Sequence, residues 1–240
     1  MGSCTLTLDD LPVAVEFGGA SRQAKLTIDA DGGLHLLAAS NVAVEDLQDF
    51  LASKRKWIYS KLAKKEELRH VAVHRELVDG ETFQYLGRNY RLQIVGGSPQ
   101  RVRLLGGRLQ IPAELAAANQ EFPLIDWYRS SGRTWVAPRV MEWAERLRVV
   151  PAKLDVTGLG RKWGSATKAG SVRIHWATFQ LSPVLIDYVV AHELAHLQEP
   201  HHGPAFWDVL GRAMPDYAER KDRLAHVGAG LWFGNIRPRP

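Results

Sequence analysis

The spacing of apolar and polar residues divides the first half of the chain into strand-like and helix-like stretches. From Thr5 to about Leu37 the two kinds of residue alternate, and turns such as Asp31-Gly32-Gly33 interrupt them, which is typical of antiparallel strands. Apolar residues at helical intervals predict one helix from about Val44 to Leu68. Alternation resumes from Thr82 to Ile111, where glycine pairs mark the turns, so this half is predicted to be rich in strands.

The second half is predicted to be mostly helical. Apolar positions recur with helical spacing from Phe122 to Leu147 and predict one long helix. Two short strands, Lys153 to Thr157 and Val172 to Thr178, are expected on either side of the segment Arg161 to Ser165. Three further helices are expected to close the chain.

The change from mostly strand to mostly helix predicts an α+β fold. A β-rich region with one long helix is expected over residues 1–115, and a mostly helical domain over residues 116–240. The chain lacks a stretch of about eighteen apolar residues and an apolar signal core after Met1. Its one cysteine, Cys4, excludes an intramolecular disulfide framework. We therefore expect a cytoplasmic protein with no membrane partner.

Much of the net charge of +5 lies in the predicted helix between residues 44 and 68, which raises nucleic acid as a possible partner. The basic residues of this helix are Lys54, Arg55, Lys56, Lys61, Lys64 and Lys65, and Arg69 follows it directly. The apolar residues of the same segment are Leu47, Phe50, Leu51, Trp57, Ile58 and Leu62. This division favours the solvated face of an amphipathic helix, and a nucleic-acid partner stays a weaker alternative.

The strongest chemical signal is the stretch His192-Glu193-Leu194-Ala195-His196, which reads HExxH. Residues four apart lie on one face of a helix, so His192 and His196 can present ring nitrogens to one metal ion. Glu193 is then placed to take a proton from a water on that metal. In a chain of this composition the pattern is expected by chance roughly 0.02 times. An apolar segment precedes it, and Pro183 predicts the start of a buried helix.

A catalytic zinc usually takes three protein ligands, and the candidates for the third follow the motif directly. His201 and His202 come after Pro200, which should end or bend the helix. His202 lies six residues beyond His196, the interval of the pattern HExxHxxGxxH, but Glu199 occupies the glycine position of that pattern. His202 is therefore the favoured ligand, with His201 and Glu199 as alternatives.

These residues predict a hydrolase in which zinc activates a water for attack on a peptide carbonyl. Glu193 would act as the general base and later deliver the proton to the leaving amine. A peptide could bind as an added strand at the edge of the short sheet. The developing oxyanion needs a further donor, and the candidates for oxyanion or substrate contact are Tyr217, Arg173, His175, Trp163 and Ser165. For Tyr217 and His175, packing inside the fold is the favoured alternative.

Five separate blocks of the sequence resemble the YgjP-like metallopeptidase family, which is related to SprT-like and gluzincin-type zinc peptidases. The blocks are Arg161 to Ser165, Val172 to Trp176, Ile186 to Leu197, His202 to Trp207, and Met214 to Tyr217. The resemblance implies a zincin-like metallopeptidase domain over residues 116–240 and one zinc ion per chain. The zinc would be held by the two motif histidines and by the histidine before the Phe-Trp pair, which here is His202.

The chain departs from the family pattern at two positions. Ala166 stands where members usually have a cysteine, so a thiol cannot be a required nucleophile or zinc ligand here. His175 stands where members usually have an asparagine.

Two other classes of function are kept open. Some proteins of this resemblance are described as nucleoside triphosphate pyrophosphohydrolases, and phosphates could be held by Arg161, Lys162, Lys168 and Arg173. Three imidazoles nevertheless suit zinc better than the Mg²⁺ that usually bridges phosphates. The other class is a nucleic-acid-associated adaptor with a structural zinc, which an intact Glu193 beside an open metal position disfavours.

Overall fold

The computed structural model describes residues 3–18, 24–28, 33–67, 73–97, 100–160 and 162–237. Contacts within the chain divide it into two compact units, residues 1–69 and 70–240. The boundary predicted at about residue 115 lies inside the second unit, because the strands between residues 82 and 112 share one hydrophobic core with the helices that follow them. Among the described helices, none is both long and apolar enough to cross a membrane.

The first unit contains a four-stranded sheet in the order β1-β2-β4-β3. Its strands are β1 (Ser3–Leu8), β2 (Leu11–Phe17), β3 (Lys25–Ile28) and β4 (Leu34–Ala38). The alternation predicted for this region is confirmed, since every second residue of β2 and β4 is buried. The prediction of antiparallel strands is confirmed for the pairs β1–β2 and β3–β4 and is wrong for β2 and β4, which pair in parallel. The predicted turn Asp31-Gly32-Gly33 lies largely outside the described residues.

The helix predicted between residues 44 and 68 is divided into α1 (Val44–Ser53) and α2 (Arg55–Glu67). At Lys54 the backbone leaves helical geometry, with φ −93° and ψ 0°. Three of the predicted apolar positions, Leu47, Leu51 and Ile58, are buried, whereas Trp57 is 43% exposed. The described basic side chains Lys54, Arg55, Lys56 and Lys61 are exposed. The side chains of Lys64, Lys65 and Arg69 lie outside the described part.

The second unit begins with a four-stranded sheet in the order β5-β6-β8-β7. Its strands are β5 (Thr82–Tyr85), β6 (Arg88–Val95), β7 (Arg103–Leu105) and β8 (Arg108–Pro112). The predicted glycine turn joins β7 to β8, where Gly106 and Gly107 have φ values of 58° and 74°. These left-handed conformations favour glycine.

The short helix α3 (Ala113–Ala117) leads to the long helix α4 (Phe122–Leu147), whose bounds match the predicted ones. One side of α4 is buried along its whole length, and the phenyl ring of Phe179 lies against it at Gly132. A Cβ atom at Gly132 would lie 2.3 Å from that ring. Glycine is therefore required here by close packing of α4 against the following segment.

A three-stranded sheet in the order β10-β11-β9 lies next in the chain. It consists of β9 (Lys153–Thr157), β10 (Gly164–Ala166) and β11 (Ser171–His175). The strand predicted up to Thr178 ends earlier, because a 3₁₀ helix occupies Trp176–Gln180. The backbone N–H of Ala177 donates to Nδ1 of His175 at 3.0 Å, and this side-chain cap starts the 3₁₀ helix. The short strand β10 forms one edge of the sheet.

Three helices close the unit as the sequence predicts: α5 (Pro183–Ala195), α6 (Pro204–Ala213) and α7 (Tyr217–Gly228). Helix α5 packs against α4, α6 and α7, and its residues are nearly all buried. Beyond α7 the chain returns to the core. The indole of Trp232 is buried and its backbone makes two hydrogen bonds with the side chain of Gln180, at 2.7 and 3.1 Å. Further on, the backbones of Asn235 and Arg237 bond with that of Arg75 at 3.0 and 2.8 Å.

Candidate metal centre

The chain reverses direction immediately after the HExxH stretch. Helix α5 starts at Pro183, where the sequence predicts a helix start, and ends with His196 as its C-cap residue. The N–H groups of Gln198 and Glu199 still bond to the carbonyl of Ala195, at 3.1 and 3.0 Å, so a last tight turn follows the helix. The chain then runs back to α6, and this reversal brings His202 to the side of α5 that carries the two motif histidines.

Three imidazoles converge at this point. His192, His196 and His202 each offer a ring nitrogen, and these nitrogens lie within 4.8 Å of one another. The Nε2 atoms of His192 and His202 are 2.9 Å apart. His201, the alternative candidate, is exposed and does not belong to this cluster among the described residues. The arrangement matches what three ligands of one small cation require.

The second ring nitrogen of His196 faces the backbone carbonyl oxygen of Glu199 at 3.1 Å. If Nδ1 carries the proton and donates to this carbonyl, Nε2 keeps its lone pair for a metal. Glu199 thus contacts the cluster through its backbone carbonyl group, and its carboxylate is not part of the group of possible metal ligands.

Burial favours the neutral form of two of the imidazoles. It lowers the pKa of His192 to about 3, with the charges of His196, His202 and Lys221 acting in the same direction. Burial also lowers the pKa of His202, again with help from His196 and Lys221. Neutral imidazole is the form that binds a metal. Nδ1 of His192 is buried and has no hydrogen-bond partner within the described part of the chain. Its other ring nitrogen, Nε2, is the one that faces His202. Three imidazole donors suit zinc.

Glu193 follows His192 directly in α5 and lies against strand β10 at Gly164. It is 7% exposed, and burial raises the pKa of its carboxyl to about 7, against the opposing effect of the Lys162 charge. A Cβ atom on Gly164 would lie 2.5 Å from Cγ of Glu193 and 2.7 Å from its Oε1. The absence of a side chain at Gly164 therefore allows this carboxyl group its position.

A cavity of about 610 Å³ opens over the histidines and Glu193. Its walls come from α5, from β10 with the residues around it, from the loop before α6, and from α7. Two of the predicted contact residues, Trp163 and Ser165, line it. Phe206, from the Phe-Trp pair that follows His202, is buried, and its ring centroid lies 4.5 to 4.9 Å from those of the three imidazole rings. It supports the cluster by packing.

Three other predicted contact residues lie outside the cavity lining. Tyr217 stacks on the indole of Trp207, with ring centroids 5.3 Å apart. His175 is 3% exposed and caps the 3₁₀ helix, and burial lowers its pKa to about 4. Arg173 donates from Nε to Oγ of Ser165 at 3.0 Å. For Tyr217 and His175 the structure thus agrees with the packing alternative.

Sequence reasoning missed two residues that line the cavity, Tyr188 and Lys221. Tyr188 precedes His192 by four residues, and its ring centroid is 5.8 Å from that of His192, so helical spacing alone could have identified it. Lys221 belongs to α7, and its Nζ lies 4.5 Å from the ring centroid of Trp207. No local pattern predicts this approach, because it depends on how α6 and α7 fold back.

A search of curated proteins gave no match. A solved structure, described as the metallopeptidase zymogen of Pyrococcus abyssi abylysin, is similar with 19% sequence identity and a TM-score of 0.36. That similarity covers 42% of this chain and 99% of the other. The family described as "YgjP-like, metallopeptidase domain" matches residues 22–227. The chain therefore belongs to the YgjP-like metallopeptidase family, as the five sequence blocks predict.

Proposed function

We propose that this protein is a zinc-dependent metallopeptidase that hydrolyses peptide bonds, with one zinc ion per chain. The ligands would be His192, His196 and His202. The observation that carries the proposal is the convergence of three imidazoles beside a buried carboxyl group, in a chain of a metallopeptidase family. When bound, zinc would polarise the substrate carbonyl and acidify a water molecule.

Glu193 has the properties of a general base in this reaction. Burial raises the pKa of its carboxyl to about 7, and a catalytic acid or base is most effective when its pKa is near the working pH. Glu193 would accept the proton of the attacking water and then donate it to the leaving amine. The missing side chain at Gly164 leaves room for this carboxyl group beside β10, where it lines the cavity.

The edge of β10 offers a way to hold the peptide. Gly164, Ser165 and Ala166 all line the cavity, and β10 is an outer strand of its sheet. An extended peptide can pair with such an edge through its backbone. Its scissile carbonyl would then lie between the strand and helix α5, next to Glu193.

The decisive experiment is Glu193→Gln, because the amide preserves the shape of the side chain but cannot accept the proton. Zinc content and thermal stability should stay near those of the wild type, while the rate of peptide cleavage should fall by about 10²–10⁴. Zinc is measured by elemental analysis, and cleavage is measured with a peptide library and with unfolded proteins. Full activity in the variant would refute Glu193 as the base.

The triphosphate alternative is tested in the same assay. Lys162 and Lys168 line the cavity, but Arg173 does not, and Arg161 lies outside the described residues. Hydrolysis of nucleoside triphosphates that is lost in Glu193→Gln, with no peptide cleavage, would favour a pyrophosphohydrolase. Salt-dependent DNA binding that persists in the variant, without any hydrolysis, would favour the adaptor.

A further inference from the structure

The cavity over the histidines has a strongly unequal distribution of charge. Three lysines, Lys162, Lys168 and Lys221, line it. Glu193 is the one carboxylate among the lining residues, and it is almost fully buried at the base. The charge that a substrate would meet on entering is therefore positive.

Two of these lysines flank the edge strand along which a peptide could pair. Lys162 precedes β10 by two residues, and Lys168 follows it by two residues in the turn that leads to β11. A peptide laid along β10 would pass one lysine near each end of the strand. Strand residues advance by about 3.3 Å each, so the two lysines would face positions on opposite sides of the scissile bond.

The third lysine is held on the opposite wall. The ammonium group of Lys221 lies 4.5 Å from the ring centroid of Trp207, and Trp207 stacks on Tyr217. The Trp207 ring is in turn 5.7 Å from that of His202. This stack fixes a positive charge beside the histidine cluster, since a cation over an indole face is stabilised.

None of the three ammonium groups has an ion-pair partner within the described part of the chain. Elsewhere in the second unit, arginines such as Arg139 and Arg220 are paired with carboxylates. Positive charges that line a concave wall without partners attract anions more strongly than the same charges on a convex surface. They are thus available to a ligand.

We propose that the cavity selects peptides that carry aspartate or glutamate on both sides of the scissile bond. This inference rests on the proposed peptidase function and specifies its substrate class. Lys162 and Lys168 recognise the acidic side chains along β10, and Lys221 supplies a third positive charge on the facing wall. Acidic peptides gain binding, and peptides with lysine at the same positions are repelled.

The test uses three peptides with the same scissile bond and either Glu, Gln or Lys at the flanking positions. Their binding to zinc-loaded Glu193→Gln is measured by fluorescence anisotropy, and their cleavage by the wild type as kcat/KM. The Glu peptide should exceed the Gln peptide by roughly 5- to 20-fold in both measurements, and the Lys peptide should be weakest. The differences should shrink between about 0.05 and 0.5 M salt.

Charge reversal provides a stricter test. Lys168→Glu, at an exposed turn, should lower the Glu-over-Lys preference at least about fivefold and improve binding of the Lys peptide. Lys153→Glu is the matched control, because Lys153 is exposed at the start of β9 and does not line the cavity. It makes the same charge reversal away from the cavity and should leave the preference unchanged.

The possible failures are distinguishable. Equal binding of all three peptides, or a preference that Lys153→Glu changes as much as Lys168→Glu, would overturn the substrate class. Cleavage that depends on Glu193 but ignores flanking charge would overturn it while leaving the peptidase function intact. If none of the peptides binds and nucleoside triphosphates are hydrolysed instead, both the proposed substrate class and the proposed peptidase function are refuted.

Discussion

The contact between Gly164 and Glu193 leads to a sharp prediction for Gly164→Ala. The added methyl group would lie 2.5 Å from Cγ of Glu193, whereas ordinary van der Waals contacts begin near 3.4 Å. One of the two groups must move by about 1 Å. Helix α5 is packed against three other helices, so the freely rotating part, the carboxyl end of Glu193, is expected to move.

A displacement of about 1 Å in a catalytic group can lower activity by about 100-fold. We therefore expect kcat/KM for peptide cleavage to fall by about 10- to 100-fold in Gly164→Ala. The stability of the fold should fall by about 1–3 kcal/mol, as for other overpacked sites. Zinc content should be unchanged, because the substitution does not touch His192, His196 or His202. Activity, zinc content and urea denaturation are measured on the same preparation.

Gly158→Ala is the control, since a methyl group there meets no atom within 4 Å and the residue lacks a left-handed conformation. Gly158→Ala should leave kcat/KM for peptide cleavage and the zinc content unchanged. The reasoning is refuted if Gly164→Ala keeps wild-type kcat/KM while still folding and binding zinc. That result would mean that the position of the Glu193 carboxyl does not limit the reaction.

The remaining predictions concern the metal and the response to pH. His202→Ala should lower zinc affinity by more than about 100-fold, while His201→Ala should leave it nearly unchanged; equal losses in metal titrations would exclude His202 as the ligand. Burial lowers the pKa of His175 to about 4, whereas in the unfolded chain this pKa is near 6.5. As the pH falls, the imidazole is therefore protonated in the unfolded chain before it is protonated in the folded one. The neutral ring stabilises the fold above pH 6.5, and that stability is lost as the pH falls toward 4. Between pH 7.5 and 4.5, metal-free wild type should therefore lose about 2–3 kcal/mol more than metal-free His175→Asn, and identical losses in urea denaturation would contradict this.

Elements whose signals are local could be predicted from the sequence. The range of α4, the start of α5 at Pro183 and the three final helices follow from helical spacing and proline positions. The approach of His192 to His196 is likewise set within one helix. The approach of His202 follows from the chain reversal near Pro200, a few residues away.

The features that could not be predicted depend on contacts between distant segments. Alternating burial in β2 and β4 is the same whether the two strands pair in parallel or antiparallel, so the parallel pairing left no trace in the pattern. Trp57 has an apolar side chain at a helical interval, yet it is exposed, because spacing along one helix does not show which side the rest of the fold covers. Lys221 reaches the cavity only because α7 packs against α5.

The C-terminal segment has a consequence for the order in which the protein matures. Trp232 fills the core of the second unit, and residues Asn235 and Arg237 bond to the backbone at Arg75. Backbone hydrogen bonds therefore connect the start of this unit to its last described residues. During synthesis, residues 1–69 can fold while the rest of the chain is still being made. The second unit must wait until Arg237 has left the ribosome, and we expect the histidine cluster to acquire its rigid support, and with it any hydrolytic activity, only after that point.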